Sequence, residues 1–133
     1  MLTVQLWKDK EKKTIDPALF SERAETLSIQ LAQECTDSKK KHNKRTQIRR
    51  FYDEVVRLNA EARSKDANWH EILPLVNMVV AKAAYAKGRD LVSDTFLNFV
   101  RDGVKQVQTP EDLNVFANFF EAFMGFYRMR CPK

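Results

Sequence analysis

Apolar residues recur every three or four positions over long stretches of this chain, and little interrupts them: three glycines and four prolines occur among 133 residues. So few breakers leave room for few turns, which favours long helices with short connections over many short strands. The predicted fold class is all-α, a compact bundle of about five helices with a flexible N-terminal arm. A chain of this length supports one hydrophobic core, so residues 16–133 are assigned to a single helical-bundle domain. Residues 1–15 mix Val4, Leu6 and Trp7 with charged neighbours, show no sustained period, and form the expected arm.

Asp16-Pro17 reads as an N-cap followed by proline at the first helical position. Helix one is predicted over roughly 17 to 35, with Phe20, Ala24, Leu27 and Leu31 on its buried face. Helix two is predicted from Lys44–Thr46 to about Arg63, burying Ile48, Phe51, Tyr52, Val55, Leu58 and Ala62. Helix three, from about Trp69 to Lys87, is apolar on nearly every side, so neighbours are expected to surround it and Gly88 to stop it. Pro74 is acceptable there only near the first turn or at a kink. Helix four is predicted over about 90 to 107, its last turns weakened by Gly103. Thr109-Pro110-Glu111-Asp112 is the clearest cap in the chain and opens helix five, whose phenylalanines read mainly as core, with Phe119 and Phe126 left over for a subunit interface.

Charge is distributed unevenly over this frame. From Lys39 to Lys65 ten basic residues face three acids, a net +7, whereas the whole chain carries +5. Segregation of this kind attracts polyanions through phosphate contacts and does not by itself distinguish one nucleotide sequence from another. Spacing on helix two pairs Arg50 with Glu54, and Arg57 with Asp53 and Glu61, which accounts for Arg50 and Arg57 without a ligand. Arg45, Arg49 and Arg63 line one flank, and with Lys44 that flank is the expected phosphate surface. Lys82, Tyr85 and Arg89 share a face of helix three, where snorkelling of long stems and a ligand role are equally good explanations.

Enzymatic chemistry finds little support. His42 and His70 lack carboxylate partners at helical spacing, and His42 reads as a solvated loop residue. Glu22 and Glu25 lack a matching pair for a hard cation. Cys35 and Cys131 show no zinc spacing and read as reduced bystanders, so no metal or cofactor is expected. The longest apolar run, Ile72 to Ala81, is broken by Pro74 and Asn77 and is too short for a membrane span, which makes a cytoplasmic location the expectation.

Four runs in order give a more specific reading. Thr46-Gln47-Ile48-Arg49-Arg50-Phe51-Tyr52, then Ile72-Leu73-Pro74-Leu75, then Ala81-Lys82-Ala83-Ala84-Tyr85-Ala86-Lys87-Gly88-Arg89, and finally Phe119-Phe120-Glu121-Ala122 resemble the small subunit of the type III-A CRISPR effector, the Csm complex. The resemblance implies a non-catalytic subunit in antiviral defence that assembles in several copies with other Csm subunits and binds the guide and target RNA backbone. It carries RNA binding onto Gln47, Arg49, Arg50, Lys82 and Arg89, and the helical wheel adds Lys44 and Arg45. Two readings of another class stand beside it: a free-standing helical DNA-binding regulator, and a metal-dependent nucleotide hydrolase. Against the regulator, the polar face of helix two carries Asp53, Glu54 and Glu61 where a reading helix exposes amides and arginines to base edges.

Overall fold

The computed structural model describes residues 4–131 and is helical throughout its body. A π-helical turn, Leu19–Arg23, runs into α1 (Ala24–Asp37) and is followed by α2 (Arg45–Ala62), α3 (Trp69–Gly88), α4 (Asp94–Lys105) and α5 (Pro110–Arg130). The described residues contain no strand beyond one isolated antiparallel bridge between Asp9 and Thr14.

Helix α5 is the centre. It packs against α1, α2 and α4, while α3 lies outside, held chiefly by α2 and α4. Aromatic rings explain this arrangement, because each buries far more apolar area than an alanine or valine. Phe116, Phe119, Phe120, Phe123 and Tyr127 of α5 are fully buried; the four phenylalanines meet Phe96 and Phe99 of α4, and Tyr127 stacks on Phe123. Phe119 is therefore not a spare interface residue; its ring lies 5.8 Å from that of Phe99. The expectation for helix three is likewise corrected. Ile72, Val76, Val79, Ala83 and Ala86 form a single buried stripe, and Leu75, Met78 and Tyr85 are exposed.

Helix one begins later than its Asp-Pro signal suggests. The Asp16 carboxylate accepts from the Ala18 N–H at 2.9 Å, and the wider π turn then brings Leu19 rather than Phe20 to the core side above Ala24. Thr109 and Asp112 form the expected capping box, each side chain accepting from the other's backbone N–H, at 3.2 and 3.0 Å. Pro74 lies inside α3, past its first turn, and the carbonyl it cannot serve belongs to the exposed His70.

Gly88 does not stop α3 by a left-handed turn. Asp90 takes that conformation at φ 64°, while the N–H groups of Asp90 and Leu91 close back on Lys87 and Ala86, both at 2.9 Å. Lys39, φ 59°, ends α1 the same way, with Lys40 N–H donating to Cys35 at 2.7 Å and Lys39 N–H to Thr36 at 3.0 Å.

The residues of the expected arm that can be described, 4–15, form no helix and lie against the bundle; residues 1–3 are outside the described residues. Gln106 clasps the chain there, its side chain accepting from Leu6 N–H at 2.8 Å and donating to the Val4 carbonyl at 2.6 Å. Trp7 donates its indole N–H to Asp112 at 2.8 Å. Burial alone would push the Asp112 carboxyl up, but the Gln108, Trp7 and Thr109 N–H groups, with Lys10 beyond them, hold it below its ordinary value. The two free cysteines are neighbours rather than isolated bystanders: both are buried with their sulfurs 3.8 Å apart, and burial pushes the Cys35 thiol up to about 11.

Gly103 is a close approach and not a weak point of α4. A Cβ there would stand 2.2 Å from the Phe116 ring, which Phe99 and Phe120 hold in place at 5.6 and 6.1 Å. Gly103→Ala is expected to cost roughly 1–3 kcal/mol by overpacking, despite the better helix propensity of alanine. A urea denaturation midpoint no lower than that of the parent would contradict this.

Candidate nucleic-acid interface

The lysine-rich connection between α1 and α2 is not a loose loop. Lys39, Lys40 and Asn43 all have left-handed backbones at φ 59°, 64° and 62°, which costs energy for residues other than glycine and persists only where surroundings compensate. Asn43 is the compensation. Fully buried, it donates its backbone N–H to the Leu91 carbonyl at 2.9 Å and its side-chain amide to Ser93 Oγ at 2.9 Å and the Leu31 carbonyl at 3.4 Å. Its side-chain oxygen accepts from Ser93 N–H at 2.9 Å, and its carbonyl accepts from the Tyr127 hydroxyl at 2.5 Å. One residue thus ties the basic loop to the middle of α1, to the α3–α4 connection and to α5.

Charge reinforces the same junction. Asp90 binds Lys41 and His42, both at 2.6 Å, and these partners hold its carboxyl down at about 2. His42 is therefore half-buried between two connections and not a solvated loop residue.

Beside this junction α2 and α3 enclose a groove of about 310 Å³ lined by Gln47, Arg50, Phe51, Glu54, Lys82, Tyr85, Ala86, Arg89 and Leu91. Leu91, whose carbonyl Asn43 holds, lines the groove and links it to the basic loop. Phe51 and Ala86 are part of the core, so the groove floor is rigid while its rim is polar. Three cations, Arg50, Lys82 and Arg89, stand on the lining against one carboxylate, Glu54. Lys82 donates to Glu54 at 2.7 Å, and Arg57 binds the same carboxylate from the other side while also reaching Glu61 at 2.7 Å. Lys82, opposed by partial burial and assisted by Arg57, holds the Glu54 carboxyl below its ordinary value.

This pairing changes the account of Arg50. Spacing along α2 assigned Glu54 to Arg50, but α3 delivers Lys82 to that carboxylate and Arg57 takes the rest. Arg50 is left without an ion pair or side-chain hydrogen bond to another described residue. Arg89 lies over the Tyr85 ring, 5.9 Å from its centroid, and also has no carboxylate partner among the described residues.

The site residues named from the sequence divide into two groups. Gln47, Arg50, Lys82 and Arg89 meet in the groove. Arg49 lies on the other flank of α2, 3.9 Å from Asp53 and beside Tyr52, whose ring packs on Phe120 of α5. Arg63 on that flank donates to Asn114 of α5 at 3.0 Å, so it is already engaged. Lys44 caps α2 and Arg45 opens it; neither lines the groove. Another cavity, about 330 Å³ between the arm and α1, has its Arg23 paired with Asp16 at 3.5 Å and is less cationic. Among the described residues no three His, Cys, Asp or Glu side chains converge as a metal site would need, and no helix is long and apolar enough to cross a membrane.

Asn43, Asp90 and Glu54 were not recognised as site-building residues from the sequence. Only Asn43 carried a signal, since asparagine tolerates left-handed backbone and stands here among lysines just before a helix.

Comparison with family models supplies the deciding observation: the model for Csm2 Type III-A matches residues 21–133, which include all five α-helices and both walls of the groove. The chain belongs to the Csm2 family. It is a small subunit of a type III-A CRISPR effector and, as such, associates with other Csm subunits. No curated protein and no solved structure matches it.

Two measurements test the junction. Tyr127→Phe removes the donor to the buried Asn43 carbonyl and is expected to cost about 1–3 kcal/mol in denaturant unfolding. The Asp90 carboxyl is lowered, so its contribution to stability is full above the ordinary carboxylate range, near pH 4, and is lost as pH falls to about 2. Asp90→Asn, which keeps a residue suited to left-handed backbone, is expected to flatten stability over that window; an unchanged acid limb would contradict the assignment.

Proposed function

We propose that this Csm2-family chain is the non-catalytic, RNA-binding subunit of its effector, assembling in several copies in the cytoplasm and holding the backbone of guide and target RNA without reading sequence. The observation that carries this is the groove between α2 and α3, in which Arg50, Lys82 and Arg89 come together from two helices around one carboxylate. Arginine and lysine on rigid helices suit phosphate oxygens, and pairing between guide and target already carries the sequence information, so base edges need no reading. Contacts of this kind are individually weak and gain strength from repeated copies along one strand.

Gln47 adds an amide at the groove rim, and the loop bearing Lys41 and Lys44 extends the basic surface beyond Leu91. Arg45 and Arg49 belong to the opposite flank and form a second phosphate surface in this reading. A DNA-reading role for α2 is disfavoured by Glu54, whose carboxylate sits on the face that would enter a major groove beside Arg50.

The test is RNA binding over a salt series by the parent chain, by Arg50→Ala/Arg89→Ala and by Arg45→Ala/Arg49→Ala. The groove variant is expected to bind more weakly and to lose about one unit of log–log salt slope per phosphate contact removed. An unchanged slope there with a fall in the Arg45/Arg49 variant moves the interface to the α5 side. Preference for one DNA sequence over RNA overturns the proposal.

A further inference from the structure

Tyr85 is the most exposed large aromatic or apolar side chain described, at 68 %, although it sits on the wall of a groove whose floor is core. A solitary exposed aromatic needs no explanation by itself. Here three further observations converge on it. The Arg89 guanidinium lies over the ring, so a cation already orders one surface of the tyrosine. Arg50 faces the same groove with no carboxylate of its own. The cavity, about 310 Å³, is at the small end of those that accept compact organic ligands and is too restricted for a helix of nucleic acid to enter.

A planar ring presented beside unpaired arginines is the arrangement by which single-stranded nucleic acid is held: a base stacks on the aromatic face and the phosphates meet the cations. Bases inside an A-form duplex are stacked on one another and cannot offer a free face to the groove. Glu54 already holds Lys82 and Arg57, which leaves Arg50 and Arg89 as the groove cations with no carboxylate partner among the described residues.

We propose that Tyr85, backed by Arg89, is a stacking subsite for one unpaired nucleobase of RNA, with Arg50 taking an adjacent phosphate. The proposal rests on the RNA-binding reading above and goes beyond it, since backbone contact alone needs no unpaired base. Stacking energies of about 1–3 kcal/mol per base correspond to roughly a 5- to 150-fold change in affinity.

The experiment uses the full chain with a single-stranded oligoribonucleotide carrying the fluorescent base 2-aminopurine, and with the same strand fully paired. Parent, Tyr85→Phe, Tyr85→Ala and Arg50→Ala are compared at low and moderate salt. The expected result is quenching of 2-aminopurine by parent and Tyr85→Phe. Tyr85→Ala is expected to lose quenching and roughly 5- to 150-fold in single-strand affinity, with its salt slope and its duplex affinity unchanged. Arg50→Ala is expected to lower the slope. If Tyr85→Ala binds the single strand as well as the parent while Arg50→Ala weakens it, the subsite is wrong and the RNA-binding reading stands. Equal losses on single strand and duplex, or a Tyr85→Phe loss as large as that of Tyr85→Ala, also overturn stacking, since either makes Tyr85 a backbone or hydroxyl contact. Absence of any RNA binding by the parent overturns both.

Discussion

Asn43 occupies a buried point where four segments of chain meet, and each polar group it carries is bonded. Its left-handed backbone reverses the chain between α1 and α2, and its amide and carbonyl hold the α3–α4 connection and α5 to that reversal. Buried polar networks are stabilising only when complete, because an orphaned donor or acceptor forfeits its hydration without return. The completeness of this one is what keeps a lysine-rich loop, which would repel itself open in water, folded against the bundle. Asp90 adds the opposing charge, binding Lys41 and His42 across the same seam.

From that junction the groove geometry follows. Holding Leu91 against the loop places the end of α3 beside the first turns of α2, so Arg89 and Arg50 share one cavity. Glu54 then determines which cations remain available. It pairs with Lys82 and Arg57, the two it touches, and leaves Arg50 and Arg89 with no carboxylate partner among the described residues. A cationic site that keeps one carboxylate binds phosphate less strongly than a purely basic one, but it constrains where the phosphate sits. On the proposed RNA-binding reading, modest strength repeated over copies is compatible with that constraint.

Much of the fold was legible in one sequence. The five helices lie close to the spans that periodicity and caps indicate, and Thr109-Pro110-Glu111-Asp112 forms the box its residue types require. Mistaken expectations share a cause. Helix three looked buried because its apolar residues outnumber its polar ones, yet packing is competitive, and the larger rings of α5 took the centre. Phe20 lost its place to Leu19 because a π turn shifted the register by a residue, which a 3.6-residue period cannot reveal. Gly103 was read through helix propensity, whereas its meaning is the ring of Phe116 pressed against it.

The site divides along the same line. Residue types, helical spacing and the order of four runs determined the all-α class, the concentration of positive charge between Lys39 and Lys65, and the Csm2-family membership that the family comparison bears out. These are properties of neighbours along the chain, where a period of three or four residues and the local sum of charge already hold the information. Only the tertiary structure decided that Arg50, and not Arg49 or Arg63 of the opposite flank, shares a groove with Lys82, Tyr85 and Arg89. The reason is that a carboxylate chooses its partner by distance in space: Lys82, 28 residues away, reaches Glu54 at 2.7 Å and leaves unpaired the arginine that sequence spacing had assigned to it.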